Sequence, residues 1–220
     1  MKSLFSVKML ESIERNGVIA VLVVDDAADA TPLAKTLLAS GIKIMELTLR
    51  TPAALDALKL IRKNVPAMTA GIGTILTPEQ ADAAKAAGAE FGVAPGMSHR
   101  VLARAKEIGL PFAPGVCTPS DIEAALEHGC QLLKFFPAET TGGLKHLKTM
   151  AAPYQHLGLK FIPLGGLSQA NMSSYLESPL VTAIGGSWIA PRELIKAKDW
   201  NAIAENARNA VAAVAKLRPA

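Results

Sequence analysis

The chain has 220 residues, half of them hydrophobic, 19% charged and 5% aromatic, with a formal net charge of +4. Length and apolarity support one substantial core, and a mild, unclustered positive charge with so few aromatics argues against nucleic acid as a partner while suiting an anionic substrate. Two cysteines (Cys117, Cys130) and four histidines (His99, His128, His146, His156) stand in no disulfide, redox or metal-ligand spacing, so neither a disulfide framework nor a metal or other cofactor is expected.

In chain order, Met9, Leu10 and Ile13 predict a short N-terminal helix able to plug one end of a barrel. The apolar run 18–24 that follows is too short to cross a bilayer and ends at Asp25-Asp26, while Glu11, Glu14 and Arg15 interrupt any signal-peptide core, so no membrane association and a cytoplasmic location are expected. Further short apolar runs cover 42–49, 68–73, 90–94, 111–116, 131–136, 160–164 and 181–184. Amphipathic, helix-like segments lie between them, such as 27–40, 52–64, 78–87, 98–108, 119–128 and 168–177. Trp200, Ile203, Ala204, Ala207, Val211 and Val214 then repeat at helical spacing and predict a closing helix. Eight strand-helix repeats without a linker predict an α/β fold, a (β/α)8 TIM barrel with an N-terminal capping helix, as a single domain over 1–220. Thr51-Pro52, Thr77-Pro78 and Thr118-Pro119 place a hydroxyl at an N-cap and proline at the first helical position, and Gly41, Gly88, Gly109 and Gly129 suit helix C-termini. No Gly-x-Gly-x-x-Gly follows the first strand, which argues against a dinucleotide-binding sheet.

The chemistry is concentrated in Leu132-Leu133-Lys134-Phe135-Phe136-Pro137, where one ammonium interrupts a run that otherwise reads as a buried strand. Burial disfavours the charged form, and a neutral lysine amine is a nucleophile suited to forming a Schiff base with a ketone. The other reading is a strand-end lysine whose head snorkels into water. In a (β/α)8 barrel the active site lies at the C-terminal ends of the strands. Lys134 is late in its strand, whereas Lys43 and Lys160 begin theirs and Lys145 follows Gly142-Gly143 toward solvent. In the second strand, alternation puts Glu46, Thr48 and Arg50 on one face with Ile44. A carboxylate there can pair with the lysine or move protons. Arg50 can bind a substrate carboxylate or be a surface charge. Gly71-Ile72-Gly73-Thr74 brings a hydroxyl to the mouth after the third strand. Gly165-Gly166 after the seventh and Gly185-Gly186-Ser187 after the eighth match the places where such barrels bind phosphate, or are two tight turns.

With Glu46 and Arg50 in Glu-Leu-Thr-Leu-Arg-Thr, and with Gly71-Ile72-Gly73-Thr74, Ala94-Pro95-Gly96, Pro114-Gly115-Val116, Lys134-Phe135-Phe136-Pro137-Ala138-Glu139 and Gly185-Gly186-Ser187-Trp188, the chain resembles the 2-keto-3-deoxy-6-phosphogluconate aldolases along essentially its whole length. The resemblance implies a class I aldolase of the Entner-Doudoroff pathway, on a (β/α)8 barrel and as a homotrimer. It implies cleavage of that phosphorylated 2-keto acid to pyruvate and glyceraldehyde 3-phosphate, with 4-hydroxy-2-oxoglutarate as a further substrate. It assigns Lys134 to the Schiff base and Glu46 to proton transfer, with Arg50 and Thr74 holding the carboxylate. Pro95 and Phe136 would wall the pyruvyl portion, and Gly165, Gly166, Gly186 and Ser187 would receive the phosphate. Leu164 stands where the family often has threonine and the related phosphogalactonate aldolases are aliphatic, which implies relaxed selectivity at C4. Arg50 and Phe135 fit the gluconate type. Two other classes share the phosphate loops: a sugar-phosphate isomerase or epimerase barrel, which has no need of an imine-forming lysine, and a catalytically silent barrel that binds phosphorylated metabolites, against which the joint presence of Lys134, Glu46, Arg50 and Thr74 argues.

Overall fold

Alternation along each short strand sends successive side chains to opposite faces, one into the barrel and one beneath the helices, so both faces are buried. The computed structural model describes residues 5–218. Its strands are β1 (Val18–Leu22), β2 (Ile44–Thr48), β3 (Thr69–Gly73), β4 (Gly92–Val93), β5 (Phe112–Ala113), β6 (Gly115–Val116), β7 (Leu132–Phe135), β8 (Lys160–Pro163) and β9 (Ile184–Gly186). The helices are α1 (Val7–Asn16), α2 (Ala30–Ala39), α3 (Ala54–Asn64), α4 (Pro78–Ala86), α5 (His99–Glu107), α6 (Pro119–Glu127), α7 (Gly143–Ala151), α8 (Met172–Leu176), α9 (Arg192–Lys196) and α10 (Trp200–Leu217).

Six strands form one ladder, β5-β4-β3-β2-β1-β9, and three form another, β6-β7-β8. β5 and β6 are two halves of one predicted strand, separated by Pro114, which has no N–H to donate. Its carbonyl instead accepts from the Lys134 N–H at 2.9 Å, so the chain changes ladder there without losing its neighbour. The circle closes where Phe161 bridges Val181 in parallel, with the Phe161 N–H on the Leu180 carbonyl and the Thr182 N–H on the Phe161 carbonyl. The last strand therefore differs from its expected span of 181–184. Residues 180–182 pair with β8, and the chain then crosses to pair with β1 over Ile184–Gly186. Gly185 and Gly186 lie inside that strand, not in a loop beyond it.

Two apolar layers result. The larger lies between strands and helices, and the smaller fills the barrel with Ile19, Ile44, Phe91, Val93, Leu132 and Ile162 among others. Helix α1 closes the lower end as expected: Ser6 Oγ accepts from the Met9 N–H, Ile13 is 2% exposed, and Met9 and Leu10 pack against the inner layer. Helix α10 lays Ile203, Ala207, Ala210 and Val214 against the outer layer. Thr77 and Thr118 form capping boxes with Gln80 and Asp121. Thr51 does not cap. Helix α3 starts at Ala54, and Thr51 Oγ1 donates instead to the Val24 carbonyl, tying the end of β1 to the loop after β2. The four helix-ending glycines, Gly41, Gly88, Gly109 and Gly129, all have positive φ. Lys145 sits exposed on α7, a helix that begins at Gly143. Among the described residues no helix is long and apolar enough to cross a membrane.

Candidate active site

The parallel register sets the height of each inward side chain. Glu46 of β2 pairs with Val21 of β1 and Gly71 of β3, and Lys134 of β7 pairs with Gly115 of β6 and Ile162 of β8. Both side chains point into the upper barrel, where Lys134 is 6% and Glu46 2% exposed. Lys134 is therefore buried and does not snorkel. Its Nζ is 3.8 Å from Glu46 Oε1, an ion pair beyond direct hydrogen-bonding length, and 5.2 Å from the centre of the Phe136 ring. Glu46 Oε1 is buried and has no hydrogen-bond partner among the described residues, so its lone pairs are available to a third group held beside the amine.

Glycines make room for this pair. A methyl at Gly73 would overlap the Glu46 carboxylate, and one at Gly71 would overlap the Phe91 ring, which fills the barrel beneath it. Gly73→Ala is expected to keep the fold and lower turnover by roughly 10- to 100-fold, because a displacement of about 1 Å at a reacting group carries a cost of that order. Circular dichroism beside steady-state rates checks this; an unimpaired variant would show that the carboxylate's placement is not critical.

A cavity of about 470 Å³ opens above the pair at the C-terminal ends of the strands. Nine of the ten residues singled out from the sequence line it: Glu46, Arg50, Thr74, Pro95, Lys134, Phe136, Gly165, Gly186 and Ser187. Gly166, the tenth, is exposed next to Gly165 at the rim and does not line the cavity itself. Thr74 is held at φ 61, in the left-handed region that a β-branched residue rarely adopts, a cost of about 1–3 kcal/mol typical of functional sites. Arg50 is exposed at the mouth with no ion pair or side-chain hydrogen bond among the described residues. The N–H groups of Gly165, Gly166 and Ser187 make no backbone hydrogen bond among those residues, which leaves donors for an anion on the opposite rim. Asn171 fixes that rim: its Oδ1 accepts from the Ser168 N–H and its Nδ2 donates to the Gly166 carbonyl.

Val21, Val23, Thr48, Leu164 and Gly185 complete the lining. The valines are a wall that sequence reading overlooked, although alternation along 18–24 places them on the inward face. Thr48, inward as expected, donates its hydroxyl to the Leu22 carbonyl at 3.1 Å. Lys43 and Lys160 lie at the opposite end, exposed in grooves beside α1 and α10. His99 and His128, distant in sequence, meet at 2.9 Å outside this cavity. Among the described residues no group of three or more His, Cys, Asp or Glu side chains is placed to hold a metal ion.

Such a site can bind a small dianion: Arg50 on one side, free N–H groups on the other, and a buried amine with a carboxylate at the bottom. Known proteins match this chain along nearly its whole length. The family model "KDPG and KHG aldolase" matches residues 9–206. The KHG/KDPG aldolase of Escherichia coli K12 is 41% identical over 202 residues, covering 91% of this chain and 94% of that protein. Two solved structures superpose along nearly the whole barrel. The KDPG aldolase of Legionella pneumophila, with pyruvate captured at low pH as a covalent carbinolamine, has a TM-score of 0.87 at 37% identity, covering 93% of this chain and 97% of that one. The 2-keto-3-deoxy-6-phosphogluconate aldolase of Zymomonas mobilis ZM4 with 3-phosphoglycerate has a TM-score of 0.85 at 38% identity, covering 94% and 97%.

Proposed function

Because this chain belongs to the KDPG and KHG aldolase family, we propose that its reaction runs through an imine on Lys134, with Glu46 as the proton carrier. The enzyme is a class I aldolase that cleaves 2-keto-3-deoxy-6-phosphogluconate to pyruvate and glyceraldehyde 3-phosphate. The observation that carries the residue assignment is the pair at the bottom of the cavity: a lysine 6% exposed, 3.8 Å from a carboxylate that is 2% exposed.

The substrate enters with its C1 carboxylate toward Arg50 and Thr74 and its phosphate toward Gly165, Gly166, Gly186 and Ser187. Nucleophilic attack requires the neutral amine, and among the described residues Glu46 is the only carboxylate lining the cavity that can accept its proton. Lys134 Nζ bonds to C2 as the C2–O double bond opens to an alkoxide; that oxygen takes one proton from the new ammonium nitrogen and one from Glu46 and leaves as water, giving the protonated imine. Glu46 then takes the C4 hydroxyl proton. The C3–C4 bond breaks, its electron pair becomes the C2–C3 double bond of an enamine, and C4 departs as the aldehyde of glyceraldehyde 3-phosphate. Return of that proton from Glu46 to C3, and addition of water at C2, release pyruvate and restore the amine. Phe136 and Pro95 wall the pyruvyl portion, and the ring face of Phe136 favours positive charge near Nζ.

Borohydride reduction in the presence of pyruvate, followed by peptide mass spectrometry, tests the assignment. A reduced pyruvyl adduct on Lys134 is expected; an adduct on another lysine, or none, would overturn it. Arg50→Ala is expected to raise KM about tenfold or more with a smaller change in kcat, since a group that holds the carboxylate equally in ground and transition states acts on KM. Arg50→Lys should recover only part of the loss, because an ammonium lacks the two-pronged geometry. An unchanged KM in Arg50→Ala would make Arg50 an ordinary surface charge.

Activity on 4-hydroxy-2-oxoglutarate follows from the same lysine and carboxylate, which act on atoms common to both substrates. Leu164 at the wall offers no hydroxyl to the C4 substituent and supports relaxed C4 selectivity. A homotrimer is carried over from the family resemblance, and a cytoplasmic location from the sequence itself. The location is supported by free Cys117 and Cys130, the latter a thiol that burial pushes up to about 11 and makes unreactive. Light scattering on the purified protein, with three times the chain mass expected, tests the trimer.

A further inference from the structure

The loop that leads from β7 to α7 runs against the phosphate rim, and one exposed carboxylate on it sits where it should repel the substrate. Glu139 packs its stem on Gly166: a methyl there would lie 2.6 Å from Glu139 Cβ and 2.8 Å from Cγ. Its backbone N–H donates to the Gly165 carbonyl at 3.0 Å, and the Ala138 N–H donates to the Leu164 carbonyl at 2.7 Å. Glu139 is thus one residue's width from donors that the preceding section assigns to phosphate. A free carboxylate at that distance would work against binding.

The carboxylate is not free. Tyr175, on α8 and 2% exposed, donates its hydroxyl to Glu139 Oε1. The pair passes above Gly143, where a methyl would lie 3.1 Å from both Glu139 Oε1 and Tyr175 Oη, so a side chain at 143 would crowd it. Burial, and then the bond to Glu139, raise the proton affinity of the Tyr175 phenol, which keeps it a donor.

We infer that Tyr175 is a positioning residue for substrate specificity: by holding the Glu139 carboxylate away from the Gly165-Gly166 rim, it allows a phosphorylated substrate to bind. The inference rests on the assignment of that rim to phosphate. Tyr175 does not line the cavity and acts only through Glu139.

Steady-state kinetics on three variants, with borohydride trapping by pyruvate as a phosphate-free readout, test the role. Tyr175→Phe removes the hydroxyl, frees the carboxylate and is expected to raise KM for the phosphorylated substrate about tenfold, the order expected for one like-charge contact near solvent. The rate of pyruvate trapping on Lys134 should change less than twofold. Glu139→Gln should bind the substrate as the parent does. The double variant Tyr175→Phe/Glu139→Gln should recover KM to within about twofold, because no charge remains to be held away. A double variant as impaired as Tyr175→Phe would overturn the inference, since the hydroxyl would then serve only packing. So would an unchanged KM in Tyr175→Phe when the parent strongly prefers the phosphorylated substrate to its dephosphorylated analogue. Equal KM values for those two substrates in the parent would instead remove the phosphate rim itself.

Discussion

Turnover of 2-keto-3-deoxy-6-phosphogluconate is expected to vanish in Lys134→Met while the barrel stays folded. Methionine has nearly the length and apolar stem of lysine and suits a site only 6% exposed, so it removes the nucleophile without opening a hole. Without an imine the C3–C4 electron pair has no cationic acceptor at C2, and neither the oriented carboxylate nor Arg50 replaces that covalent sink. The substitution also strands Glu46 as a buried carboxylate without its cation. Breaking a buried pair on one side destabilises by about 3–5 kcal/mol. Denaturant unfolding should show that loss, and Lys134→Met/Glu46→Gln should regain most of it. Near-parental cleavage rates in Lys134→Met would sink the imine assignment, and an unfolded protein in water would be resolved by the double variant.

Glu46→Gln is expected to slow turnover by roughly 10²–10⁴-fold, the range for loss of a general acid/base group. Glutamine preserves shape and can still hydrogen-bond, but its amide cannot accept and return the protons of the amine, the carbinolamine oxygen and the C4 hydroxyl. The slowing should therefore appear both in cleavage and in the rate of pyruvate trapping on Lys134, whereas Arg50→Ala acts mainly on KM. A Glu46→Gln enzyme with parental rates would reduce Glu46 to a structural partner of Lys134, and proton transfer would fall to water in the cavity.

Much of this site is legible along the chain because each key residue breaks a local rule. Lys134 interrupts an apolar run, Glu46 occupies an inward position, and glycines stand where strands end. The strand-end rule for (β/α)8 barrels then sorts Lys134 from Lys43 and Lys160. The wall formed by Val21 and Val23 carries no such signal, since valine in a strand is equally consistent with packing. Thr51 illustrates the opposite error: threonine before proline reads as a helix cap, but the nearby Val24 carbonyl competes for the hydroxyl and wins. The last strand departs from the span its periodicity predicts because residues 180–182 and Ile184–Gly186 serve two different neighbours, β8 and β1. Local periodicity cannot register a change of partner.

By itself, the sequence determines the strand-helix alternation, the barrel class, the plugging helix with Ile13 inward, and the inward strand positions of a lysine and a carboxylate, Lys134 and Glu46. These follow from periodicity and burial, which are properties of neighbours along the chain. The tertiary structure alone decides that Lys134 and Glu46 stand 3.8 Å apart, that Gly73 leaves room for the carboxylate, and that Arg50 and the Ser187 rim face one cavity. It also brings Tyr175 to Glu139 and closes the ring between Phe161 and Val181. Each of these depends on the register between strands distant in sequence, and register is set by how the packed barrel fills its interior.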